Sequence, residues 1–161
     1  MKNYMKLEIA AVGENEGFAR SAVAAFALCL NPSLTELSDI KTAVSEAVTN
    51  SVVHAYTSEE EVGKICIECQ AEKDENGSVL HIQITDFGCG IEDLAQATTP
   101  FYTSLPNSER SGLGFTIMQT FMDDFSLDSG KGPGTRVRML KRMSERLTAT
   151  SEEKIWEGVN A

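Results

Sequence analysis

The segment Leu80-His81-Ile82-Gln83-Ile84-Thr85 alternates apolar and polar residues, then runs straight into Asp86-Phe87-Gly88-Cys89-Gly90. A period of two marks a half-buried strand, so the Asp-x-Gly-x-Gly stands at a strand's end, a usual place for a binding residue. Upstream lies Glu46-Ala47-Val48-Thr49-Asn50, and downstream lies Arg110-Ser111-Gly112-Leu113-Gly114. Each piece alone is an ordinary polar or Gly-rich pentapeptide. In this order, each in a suitable context, they point to a nucleotide site.

The rest of the chain supplies the scaffold. Lys6 to Ala10 alternates as a first strand, and Phe18, Ala22, Ala25, Phe26 and Cys29 recur at helical spacing and predict the inward stripe of a first helix. Arg20 is about 200° around that wheel from Phe18 and faces outward, within reach of Glu16 for an i,i+4 pair. Asn31-Pro32 is expected to cap a second, long helix whose inward face is Leu37, Ile40, Val44, Ala47, Val48, Val52 and Ala55. Its opposite side carries Glu46, Asn50 and His54, four apart, as either a solvated face or a functional one.

Residues 65–71 and 79–86 form a hairpin around Asn76-Gly77, and a short helix is expected over 91–97. Residues 98–111 lack periodicity. A helix resumes with Phe115, Ile117, Met118, Phe121 and Met122, and two final strands flank Ser129-Gly130-Lys131-Gly132-Pro133-Gly134. The predicted class is therefore α+β, a two-layer sandwich of a mostly antiparallel sheet with helices on one face. One domain is expected over residues 1–142, with residues 143–161 as a tail, disordered or a short helix.

Composition narrows the partners. A net charge of −10 disfavours direct nucleic-acid binding, which needs clustered Lys and Arg, yet leaves room for a small anion held by backbone N–H groups. The longest apolar run, Ala22 to Leu30, is about half of the ~20 residues that span a membrane. No membrane contact is expected, and the start has no apolar signal region, so the expected location is the cytoplasm. Four cysteines without a second paired motif are expected as free thiols; Cys66 and Cys69, three apart on a strand, would point to opposite faces.

In Ser45 to Asn50, His54-Ala55-Tyr56, Asp86 to Gly90, Pro100-Phe101-Tyr102-Thr103 and Glu109 to Met118, the chain resembles the Bergerat-fold ATPases and kinases of the GHKL superfamily. Within them it is most similar to the anti-sigma F factors of endospore-forming bacteria, from about Lys6 to Lys141. The resemblance implies ATP, ADP and Mg²⁺ as ligands. Asp86 would read the adenine amine, with Gly88 and Gly90 allowing close approach. Thr135 would help hold the base, and Asn50 would be the Mg²⁺ ligand. Thr103, Arg110, Ser111, Gly112, Leu113 and Gly114 would contact the triphosphate around an ATP lid at 98–111. Glu46 would be the base for an attacking hydroxyl.

The implied partners are a sigma F-like sigma factor and an anti-anti-sigma protein of the STAS type, phosphorylated on serine. Arg20, Glu109 and Arg110 are the expected partner contacts, and a homodimer is implied. A stress sigma factor as target, a conformational ATPase or sensor-kinase fragment, and a binding-only anti-sigma protein remain as alternatives.

Overall fold

The computed structural model describes residues 1–56, 62–75, 77–101, 112–130 and 132–144. Alternation extends over five strands: β1 (Lys2–Ala10), β2 (Lys64–Asp74), β3 (Gly77–Asp86), β4 (Asp124–Gly130) and β5 (Gly132–Met143). They form one sheet in the order β1-β2-β3-β5-β4, every neighbouring pair antiparallel. Pairings Ile67↔Ile84, Cys69↔Ile82, Ile84↔Val137 and Ile82↔Met139 align one apolar row across β2, β3 and β5. A one-residue slip would turn that whole row to water, so burial itself specifies the register.

The other face is polar. Lys6 pairs with Glu68 at 3.2 Å, Gln83 donates to Glu68 at 2.8 Å, and Arg138 donates to Gln83 at 3.1 Å, a ladder crossing four strands. Cys66 lies on this side and Cys69 in the apolar row, so the pair does not converge. Burial pushes the Cys69 thiol up to about 12, leaving it protonated and inert.

Helices α1 (Glu14–Ala27), α2 (Leu34–Asn50) and α4 (Gly114–Phe121) cover the apolar face; α3 is a single turn at Leu94–Ala97, capped by Asp93. The result is the two-layer α+β sandwich. Ile40, Val44, Ala47 and Val48 of α2 are at most 1% exposed and form its centre with Ile65, Ile67, Leu80, Ile82 and Ile84.

Three local expectations are corrected. The buried stripe of α1 is Ala19, Val23, Ala24 and Ala27, whereas Phe18 is 55% exposed and Ala25 and Cys29 are also exposed. This helix is apolar nearly all round, so its periodicity underdetermines the inward face, and small residues are what admit close packing against α2. Asn31 is not the N-cap of α2; it takes φ 55° as the C-cap of a 3₁₀ turn, Leu28–Leu30. The N-cap of α2 is Ser33, in a capping box with Glu36 whose two bonds satisfy the Ser33 and Glu36 amides. Finally, the long helix changes pitch. From Ser51 to Ala55 it runs as a π turn.

Two buried charges lock the layers. Lys141, on the core side of β5, donates to Asp39 of α2 at 2.9 Å and to the Phe121 carbonyl of α4 at 2.6 Å. Glu36, 7% exposed, accepts from the Ser33 amide and from the amide and hydroxyl of Ser144, tying the start of α2 to the end of β5. Burial raises this carboxyl's pKa, but the hydrogen bonds outweigh it and hold the group down at about 2, from an ordinary 4.5. Because the folded value is depressed, the stabilisation is complete above the unfolded value and is lost as pH falls toward 2. Glu36→Ala should therefore cost about 2–3 kcal/mol in neutral urea melts, and the difference from wild type should narrow as the pH falls from 4.5 to 2.

Candidate functional site

A cleft of about 860 Å³ opens where α2, the end of β3, the start of α4 and β5 meet. Its first wall is the outward face of α2 and the π turn. Glu46 and Asn50 lie one helical turn apart, and the wider π turn then brings Ser51 as well as His54 and Ala55 to the same cleft. π turns often mark functional positions because the extra residue changes which side chains share a face.

At one end stands Asp86, 3% exposed. Its carboxylate accepts from the Ser51 hydroxyl and the Thr135 amide, both at 3.0 Å, and from the Gly88 amide at 3.2 Å. Burial raises its pKa, and these donors only partly offset that rise. The ionised form is an acceptor-only group in a dry wall, suited to a neutral N–H donor such as an exocyclic amine and hostile to a carbonyl.

The following turn threads a narrow gap. A Cβ on Gly88 would lie 2.0 Å from the Ala55 carbonyl oxygen, and one on Gly90, at φ +74°, 2.0 Å from that of Gly130. Both positions therefore require glycine. The Cys89 amide donates to Ala55 at 2.8 Å, and the Gly132 amide donates to Cys89 at 3.2 Å, so the turn is stitched on both sides. Beyond it, Thr135 Oγ1 lies 2.9 Å from Ser129 Oγ, which also takes the Ile91 amide at 2.9 Å.

The opposite end is built from Glu46, Asn50 and the start of α4. A Cβ on Gly114 would stand 3.0 Å from Glu46 Oε2 and 3.1 Å from Asn50 Nδ2. The two side chains thus converge on the space that glycine leaves free. Among the described residues no side chain caps the N-terminus of α4, and the first amides of a helix are a ready site for an anion. One carboxylate and one carboxamide oxygen suit a hard cation, and the neighbouring helix amides suit the phosphates that would share it, so these residues fit Mg²⁺.

Of the expected site residues, Glu46, Asn50, Asp86, Gly90, Gly112, Leu113, Gly114 and Thr135 all line this cleft. Gly88 sits behind it in the turn. Thr103, Glu109, Arg110 and Ser111 lie outside the described residues. Arg20 is separate, exposed on α1 with Nη1 3.5 Å from Glu16 Oε1; Glu16 also accepts the hydroxyl of Ser45, the neighbour of Glu46.

Residues 10–141 match the histidine kinase-like ATPase domain family. An anti-sigma F factor of Clostridium botulinum (strain Eklund 17B / Type B) is 51% identical over 145 residues, covering 89% of this chain and 96% of that protein. One from Oceanobacillus iheyensis is 49% identical over 148 residues, covering 92% and 98%. The chain belongs to the anti-sigma F factor family. Among solved structures, the RsbU and RsbW domains of a Mycobacterium tuberculosis protein share the fold with a TM-score of 0.62 at 17% identity, over 89% of this chain and 33% of that one.

Three residues of this family member's site escaped sequence reading. Ser51 was hidden because an unbroken α-helix gives no reason to single it out. Ser129 and Gly134 were visible only as turn residues, although a Cβ on Gly134 would fall 2.1 Å from the Asp86 carbonyl oxygen. The raised pKa of Asp86 makes its charge a cost to the ligand-free fold above the folded pKa, relieved as pH falls through it. Asp86→Asn should therefore match or exceed the wild-type melting temperature at pH 7 without ligand, and lose that advantage as the pH is lowered, by calorimetry across pH.

Proposed function

We propose that the protein is an ATP-dependent serine kinase and anti-sigma factor that holds a sigma F-like sigma factor in its ATP-bound form and phosphorylates an anti-anti-sigma protein of the STAS type. The observation that carries the proposal is the cleft's polarity. A buried carboxylate stands at one end and a carboxylate–carboxamide pair beside helix amides at the other, an arrangement suited to the base and phosphate ends of ATP.

Asp86 and Thr135 orient the base, and the turn of Gly88 and Gly90 lets the backbone approach it. Asn50 would hold Mg²⁺, which when bound would neutralise phosphate charge. Gly112, Leu113 and Gly114, with Thr103, Arg110 and Ser111, contact the triphosphate of ATP, and their contacts differ with ADP. Glu46 accepts the proton of a serine hydroxyl while the serine oxygen bonds to the γ-phosphorus, the bond from that phosphorus to the bridging oxygen breaks, and ADP departs. Arg20, together with Glu109 and Arg110, forms the partner contact. Partner choice follows from differential affinity for the two nucleotide states. The working form is a homodimer in the cytoplasm, without direct nucleic-acid or membrane contact.

Transfer of labelled γ-phosphate from Mg-ATP to the organism's own anti-anti-sigma protein tests the reading. Glu46→Gln should bind ATP within a few-fold of wild type yet lose about 10²- to 10⁴-fold in transfer. Tight ATP binding by wild type with no transfer would instead indicate a conformational ATPase or a binding-only anti-sigma protein. Arg20→Ala should weaken capture of the sigma factor at least about tenfold, as for an interface hot spot, at unchanged ATP affinity; equal capture would remove Arg20 from the interface.

A further inference from the structure

The β2–β3 ladder ends at the pair Ile65↔Asp86. The next groups in line, the Lys64 carbonyl and the Phe87 amide, both bond to the Tyr56 hydroxyl instead. It accepts from Phe87 N at 2.9 Å and donates to Lys64 O. The ring has a made place: a Cβ on Gly63 would fall 2.3 Å from its nearest carbon, so only glycine leaves room for it. Tyr56 also terminates the π turn, whose Ala55 carbonyl takes the Cys89 amide and whose Ser51 hydroxyl donates to Asp86. Residues 51–56 therefore grip the Asp86–Cys89 turn at Asp86, Phe87 and Cys89, and Tyr56 is the grip on the residue between Asp86 and Gly88.

We propose that Tyr56 is a positioning residue for base recognition: its hydroxyl, inserted at the end of the β2–β3 ladder, fixes the turn that aims the Asp86 carboxylate into the cleft. The proposal rests on Asp86 being the adenine-reading group. Without the hydroxyl, Phe87 N–H and Lys64 C=O lose their shared partner. The turn is then free to relax, and the Gly88 amide, 3.2 Å from Asp86 Oδ1, is free to move off the carboxylate. Phosphate-end contacts through Asn50 and Gly114 are untouched, so the defect is specific to the base.

The test compares Mg-ATP and Mg-GTP affinities of the full chain by titration calorimetry. Tyr56→Phe keeps the ring and removes the bridge; it should lose about 3- to 10-fold in ATP affinity, as one hydrogen bond allows. GTP affinity should change little, so the ATP-over-GTP ratio shrinks by the same factor. A merely structural role would lower both together. A folded Tyr56→Phe with the wild-type ratio overturns the proposal. Lys64→Ala removes the cation 5.1 Å above the Phe87 ring but keeps the backbone carbonyl, and should retain the wild-type ratio; a matching loss there would assign the effect to the ring contact and overturn the proposal. Should Tyr56→Phe fail to fold, amide exchange in wild type decides: a protected Phe87 amide supports the bridge, and exchange at the unfolded rate overturns it. A wild type that binds ATP no better than GTP would instead overturn the assignment of Asp86, and with it this proposal.

Discussion

A single buried carboxylate orders the site. Asp86 is desolvated at the end of a central strand, and its charge is tolerable only because donors arrive from three directions: α2's continuation through Ser51, its own turn through Gly88, and β5 through Thr135. A buried acceptor without partners would cost more than the fold can spare. The same bonds that make the charge tolerable also fix α2, β3 and β5 relative to one another. The carboxylate proposed to read the base is thereby a structural tie.

Around that tie, the sandwich separates packing from chemistry. The inward face of α2 supplies the core with Ile40, Val44 and Val48, while its other side presents Glu46 and Asn50 to the cleft. A helix buried on one side holds functional side chains more firmly than a loop, because core packing has already removed its freedom. The Lys141–Asp39 pair and the Glu36–Ser144 bonds then brace α2 against β5 near its other end. Both walls of the cleft are thus anchored outside it.

Most of the fold was legible in the residues. Alternation at 80–86 and the Asn-Gly turn located the central hairpin, and apolar spacing from Leu37 to Val48 located α2. Less legible were choices among near-equal local options. Phe18 looked like a core anchor because aromatic bulk usually goes inside, but α1 offers apolar residues on every side and the neighbouring helix selects the alanines. Asn31-Pro32 looked like a cap, yet the reciprocal bonds of Ser33 and Glu36 are the better one. In the site, Glu46, Asn50, Asp86 and Gly114 could be singled out from their motifs, whereas Ser51 and Ser129 carry no motif of their own and the motif holding Tyr56 gives that residue no role.

By itself the sequence determined the period of each element, the residue types at the cleft and the family, since these are local patterns or direct similarity. Only the tertiary structure decided which face of α1 is buried, where α2 widens into a π turn, and which hydroxyls and carbonyls hold the Asp86 turn. Those depend on contacts between residues far apart in the chain, such as Ser51 with Asp86 and Asp86 with Thr135. No local window contains both partners of such a bond, so no local pattern can announce it.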